Sequence, residues 1–116
     1  MNTEKETSPK SPRNLDEAVA ALDGVISPED KERFQEWTEE KFVTVLHHSL
    51  GQWVRNNWKL WDDTSELSEW FEARKIWHAD DMSGIVLRSY YRKTRDLPIK
   101  FEEQVQGYVE YWKKYE

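Results

Sequence analysis

The chain has 116 residues, a net charge of −6, no cysteine, and seven Trp, five Tyr and four Phe. That length is one ordinary domain, and so many large aromatics argue against a wholly disordered chain despite the high charge. The absence of cysteine excludes disulfides and thiolate metal sites and fits a reducing cytoplasm, while net acidity disfavours nonspecific nucleic-acid binding.

No leader-like apolar stretch occupies Met1 to Pro12, and no run approaches the ~18 apolar residues of a membrane span. Residues 1–13 have no core former after Met1 and carry two Ser-Pro steps, which predicts a disordered tail ahead of a single helical domain over 14–116. Charge then alternates in blocks. Residues 15–40 hold nine acids and two bases, 41–61 three bases and no acid, and 85–100 five bases and one acid. Such blocks suit helices that pack with complementary faces.

Asn14 is placed to cap a helix from Leu15 to about Leu22, with Leu15, Val19 and Leu22 on one face and Gly24 as its C-cap. Ser27-Pro28-Glu29-Asp30 starts a second, running to about Trp37. Thr38 caps a third, with Phe42, Val43, Val45 and Leu46 on its apolar side, and the pattern continues without a break from His47 to Trp61. Within it Leu50, Val54, Asn57 and Trp61 share a stripe, and Gly51 suits the close approach of another helix or an indole. Asp62-Asp63-Thr64 reads as a turn. Ser65 caps a fourth helix with Leu67, Trp70, Phe71 and Ala73 inward. His78-Ala79-Asp80-Asp81 opens a fifth, reaching about Arg95 with Met82, Ile85, Val86, Leu87 and Tyr90 inside, and Leu97-Pro98-Ile99 ends it. The last spans Phe101 to Tyr115 with Phe101, Val105, Tyr108, Val109 and Trp112 at helical spacing. The expected fold is all-α, five or six helices in one compact domain.

Two constellations carry chemistry. The first is His47, His48, Arg55, Asn56, Asn57, Trp58 and Trp61, a dense polar-aromatic run. Arg stacks on indoles and forks onto carboxylates, and Asn pairs with amides, so the run suits a recognition surface. The more economical reading is a core helix whose Arg55 meets an acid from a neighbour, with Asp80 or Asp81 as candidates. The second is His78-x-Asp80-Asp81, which with His47 or His48 could ligate a metal or pair a base with its orienter. Helix starts attract acids for structural reasons, and this reading is favoured. No catalytic triad, metal site or cofactor is expected. Arg88, Arg92, Lys93 and Arg95 form a basic stripe, weak evidence for a phosphate or RNA site in an acidic chain.

The patterns His47-His48-x-Leu50-Gly51-x-Trp53-Val54-Arg55-Asn56-x-Trp58-x-Leu60-Trp61 and His78-x-Asp80-Asp81-Met82-Ser83-x-Ile85-Val86, with Asn14-Leu15-Asp16-Glu17-Ala18 and a Pro98-Ile99…Gln104…Tyr111-Trp112 close, resemble a bacterial family of small domains of unknown function over about residues 13–113. The resemblance implies an all-helical domain, carries no activity, and associates the chain with immunity or accessory proteins. Two positions depart from it: Ala79 stands where proline is usual and Lys59 where glycine is. The leading functional expectation is a noncatalytic protein-binding module in the cytoplasm, with a protein partner and no membrane. The alternative is a small enzyme or metal-dependent hydrolase using His47 or His48 with His78, Asp80 and Asp81.

Overall fold

The computed structural model describes residues 11–62 and 64–115. Residues 1–10 of the predicted tail, Asp63 of the predicted turn and Glu116 lie outside them. Among the described residues the chain is all-helical, with seven helices and no strand: α1 (Leu15–Val25), α2 (Pro28–Phe34), α3 (Glu39–Leu46), α4 (Leu50–Asn57), α5 (Glu66–Glu72), α6 (Ala79–Thr94) and α7 (Phe101–Lys113). None of these is long and apolar enough to cross a membrane.

Four helix starts follow the sequence closely. The side chains of Asn14, Ser27, Thr38 and Ser65 accept bonds from the backbone N–H of Glu17, Asp30, Lys41 and Ser68 respectively. Each satisfies one of the orphan donors at a helix N-terminus. Just ahead of α1, Arg13 pairs with Glu17 at 2.8 Å.

The count of seven corrects the expected five or six, because the stretch predicted as one helix from Thr38 to Trp61 is broken at His47-His48-Ser49. Ser49 leaves helical geometry (φ −115°, ψ −85°), and its N–H turns back to the Leu46 carbonyl. The orphaned His47 carbonyl instead accepts a bond from Arg55 at 3.1 Å. Helix α4 also stops at Asn57, short of Trp61. Lys59 takes a left-handed conformation (φ 57°), and the Leu60 N–H bonds to the Arg55 carbonyl at 3.0 Å. This closes a Schellman-type end with Lys59 where glycine is commonest. Other corrections are local. Gly24 lies inside α1 without a positive φ, α2 ends at Phe34 rather than near Trp37, and Val45 and Ala73 face solvent.

Helix α6 is the axis of the molecule. Helices α1, α3, α4, α5 and α7 all pack against it. Met82, Ile85, Val86 and Leu87 are essentially inaccessible, as are their neighbours Leu22, Phe42, Val54, Leu67, Phe71 and Ile76 from the surrounding elements. Burying each such side chain stabilises by roughly 1.5–3 kcal/mol, so this shared core holds the short outer helices in place. Phe34, Phe42 and Tyr91 add tilted and edge-on ring contacts. Gly51 permits the α4–α6 approach. A Cβ there would meet the Arg55 guanidinium at 3.2 Å, the Leu46 carbonyl at 3.3 Å and Leu87 at 3.5 Å.

The alternating charge blocks meet across this axis. Arg92 forks onto Glu39 through Nε and Nη2, both at 3.0 Å, and Arg88 bonds Glu39 and Glu40. Burial pushes the Glu39 carboxyl up, but the bonds from Arg92 and Arg88 outweigh it and hold it below its ordinary range. Arg95 stacks on Tyr91 and donates to the Phe34 and Gln35 carbonyls at the end of α2. The basic stripe on α6 is therefore largely engaged in holding α2 and α3.

Left-handed geometry costs an L-residue about 1–2 kcal/mol relative to glycine, less the extra chain entropy glycine loses on folding. Lys59→Gly is accordingly expected to stabilise the protein by about 0.5–1 kcal/mol. A higher urea midpoint with unchanged slope is the expected result, and a lower midpoint would contradict the left-handed helix end.

Candidate functional site

Eight of the ten sequence candidates come together around the N-terminal turn of α6. Arg55 is the centre. It is 4% exposed, and its guanidinium donates from Nη1 to Ser83 Oγ at 2.8 Å and from Nη2 to the His47 carbonyl at 3.1 Å. Its Nε faces Asp80 Oδ1 at 3.4 Å, an ion pair without hydrogen-bond alignment. Ser83 Oγ in turn donates to the Asp80 carbonyl at 3.0 Å. Of the two acids expected to complete the Arg55 fork, Asp80 is the one that faces it, but only as an ion pair at Nε; the fork itself goes to Ser83 and the His47 carbonyl, a role for Ser83 legible only in three dimensions. Trp61 lies beside the guanidinium, 5.9 Å from ring centre to Cζ, and its indole N–H bonds Asn56 Oδ1 at 3.1 Å.

His47 Nε2 stands 4.0 Å from Asp80 Oδ1, and the His48 ring meets His47 edge-on at 4.7 Å. Burial first, and the charge of Arg55 second, push the His47 imidazole below its ordinary value, against the opposing pull of Asp80. The ring is therefore biased to neutral, and the Asp80 charge is directed to Arg55.

His78 and Asp81 turn the other way. His78 is the N-cap of α6 but makes no side-chain cap bond. Its ring stacks on Trp112 at 4.0 Å and 23°. Asp81 accepts from Trp112 Nε1 at 2.7 Å. Burial raises the Asp81 carboxyl above its ordinary range, opposed by the Trp112 bond and by His78. Trp112 also contacts Tyr111 and Tyr115, at 5.1 and 6.0 Å between ring centres. Asp80 and Asp81 thus sit in the first turn, as the helix dipole favours, but their side chains tie in α4 and α7 instead of capping α6.

Asn57 and Trp58 are not part of this assembly. Asn57 donates to the Trp53 carbonyl, and Trp58 is buried edge-on to Trp53 beside α1. The sequence reading also missed Trp77, Tyr111, Trp112 and Tyr115. It took Trp112 as a core position, yet Trp112 is 36% exposed, Tyr111 48%, Trp77 63% and Tyr115 66%. The spacing Tyr111-Trp112-Tyr115 beyond the last inward residues of α7 was the available signal.

No group of three or more His, Asp or Glu residues among those described is arranged to hold a metal ion. The arrangement can orient a neutral imidazole beside a carboxylate and leaves the mutually contacting rings of Tyr111, Trp112 and Tyr115 partly exposed next to Asp81. The fold and site define a helical domain whose central helix carries a polar cluster at its N-terminus. The chain belongs to the family described as a domain of unknown function, DUF6794, which matches residues 11–94. That span ends with α6, so α7 and its aromatic end lie beyond the matched region, whereas the resemblance in the sequence reaches about residue 113. No curated protein and no solved structure matches the chain.

Two outcomes are expected here. Asp80 is 59% exposed at its side chain, so Arg55→Ala leaves a solvated rather than a stranded carboxylate. The loss is then packing plus the bonds to Ser83 and His47, about 2–4 kcal/mol by chemical denaturation, while Asp80→Asn costs below about 1 kcal/mol. Equal losses in the two variants would show the ion pair, not the buried hydrogen bonds, to be dominant. His47 has a folded pKa below its ordinary 6.5, so its contribution is present above 6.5 and is lost as pH falls through the lowered value. Stability of His47→Gln is expected to fall less than wild type on acidification from 6.5, and superimposable pH profiles would contradict this.

Proposed function

We propose that the protein is a noncatalytic protein-binding module of the immunity or accessory type, acting in the bacterial cytoplasm, and that it engages its partner through the aromatic surface at the N-terminus of α6. One observation carries the reading: Trp61, Trp77, Tyr111, Trp112 and Tyr115 are substantially exposed around a cluster that is otherwise tightly bonded internally. Exposed large apolar groups gathered together mark interaction surfaces, and Trp and Tyr are the residues that anchor them. The candidate binding residues His47, His48, Arg55, Asn56, Trp61, His78, Asp80 and Asp81 form or support this surface, while Asn57 bonds the Trp53 carbonyl within α4 and Trp58 is buried in the core.

A second reading, a small hydrolase using His47 or His48 with His78, Asp80 and Asp81, draws support from the neutral-biased His47 beside Asp80. Against it, His78 and Asp81 are engaged by Trp112 rather than directed toward His47.

A photo-crosslinking amino acid at position 77 tests the proposal in cells of the native host, with the same group at exposed Glu32 on α2 as control. A discrete heavier adduct from position 77 alone is expected. Adducts of equal yield from both positions, or none from position 77, would overturn it. An adduct of twice the chain's mass would identify the partner as a second copy.

A further inference from the structure

A groove of about 410 Å³ runs between the C-terminal half of α1 and the end of α4. Ala21, Gly24 and Val25 form one wall, and Trp53, Asn57 and Trp58 the other. None of the described residues lining it is charged. The wall on α1 is open, since a Cβ added at Gly24 would meet nothing within 4 Å. Trp53 is 36% exposed and meets the Trp58 ring edge-on. Trp58 itself is 7% exposed. Its indole N–H has no acceptor among the described residues, and the nitrogen is not sealed from solvent as the unpaired Arg55 Nε and Gln104 Oε1 are. A nearly buried donor at an uncharged groove calls for a neutral acceptor. Water would satisfy the donor but leave the apolar walls uncovered.

The chain itself leads to this groove. Ser11 lines it, and Pro12 is buried. Ser11 precedes α1 yet stands beside the second half of that helix, so the backbone ahead of α1 folds back along it. From Ala20 to Val25 the helix rises about 7.5 Å. Extended chain with polyproline dihedrals advances about 3.1 Å per residue, so the three residues upstream of Ser11, Ser8-Pro9-Lys10, cover that length. Pro9 also stands three positions before Pro12, which is the polyproline repeat. Proline suits these walls. Its ring is apolar, it brings no N–H to bury, and the carbonyl before it is a neutral acceptor. Extended proline-bearing segments dock in aromatic-lined grooves for these reasons.

We propose that the groove between α1 and α4 is the seat of the chain's own Ser8-Pro9 step, with the Pro9 ring against Trp53 over Gly24 and the Trp58 indole N–H donating to the Ser8 carbonyl. The segment straps α1 to the end of α4, on residues other than those of the proposed aromatic surface.

The test is NMR on the ¹³C,¹⁵N-labelled full chain. NOEs from the Pro9 ring protons to the Trp53 and Trp58 rings are expected, unchanged on about tenfold dilution, as a contact within one chain requires. Gly24→Leu fills the groove and removes a helical glycine, so it folds at least as stably as wild type by thermal denaturation, and it is expected to abolish those NOEs. Pro9→Gly is expected to speed exchange of the Trp58 indole proton with water by about threefold or more, and Glu4→Gly to leave it unchanged. Absence of the Pro9 NOEs in wild type, their persistence in Gly24→Leu, or equal exchange in Pro9→Gly and wild type would each overturn the seat. NOEs between a labelled and an unlabelled chain would overturn it in favour of a second copy as the occupant.

Discussion

Helix α6 is covered by five other helices, so each polar group it turns inward needs a partner supplied by one of them. Ser83 takes Arg55 from α4, Ser89 takes Gln104 from α7, and Tyr91 bonds the Trp37 carbonyl ahead of α3. An unpaired buried group costs about 1–3 kcal/mol, comparable to a buried leucine's whole contribution. These pairings therefore select one arrangement of short helices that apolar packing alone would leave under-specified. Helices of seven or eight residues are below the length at which isolated helices persist in water, so the outer elements depend on this axis for their existence.

The same dependence explains what the sequence disclosed. Caps are local, so Asn14, Ser27, Thr38 and Ser65 were readable one residue at a time, and each forms its expected bond. Apolar spacing likewise marked the core faces of α1 and α6. The break at His47-His48-Ser49 was not readable in that way, because what ends α3 is partly Arg55, eight residues on, taking a backbone carbonyl. Periodicity treats a polar residue as one pointing outward. Arg55 points inward, so apolar spacing continues across the break and predicts helix as far as Trp61, which is 65% exposed instead of packed.

The pairing of Arg55 with an acid at the start of α6 was anticipated from the lack of any acid in its own segment, and Asp80 fills that place. The partition between Asp80 and Asp81 was not anticipated. Adjacent residues in a helix project about 100° apart, so one carboxylate faces α4 while its neighbour faces α7. A single dipeptide thus ties down two different helices, and the two acids acquire different surroundings. Asp80 stays largely in solvent beside Arg55, whereas Asp81 is half-buried against Trp112 and held above its ordinary range.

That division bears on the proposed binding surface. Leaving a Trp about two-thirds exposed forgoes on the order of 2–4 kcal/mol of burial, and Trp61 and Trp77 both do so. Trp61 is bonded to Asn56 and lies beside Arg55, and Trp77 directly precedes a histidine stacked on Trp112. Ordering the surroundings of an exposed ring before any partner arrives reduces the entropy lost when one binds. The hydrogen bonds of Arg55 and Asp81 add little to the proposed surface directly, because the groups that make them are already paired within the chain. Their contribution is to keep the ends of α4 and α7 in register with α6.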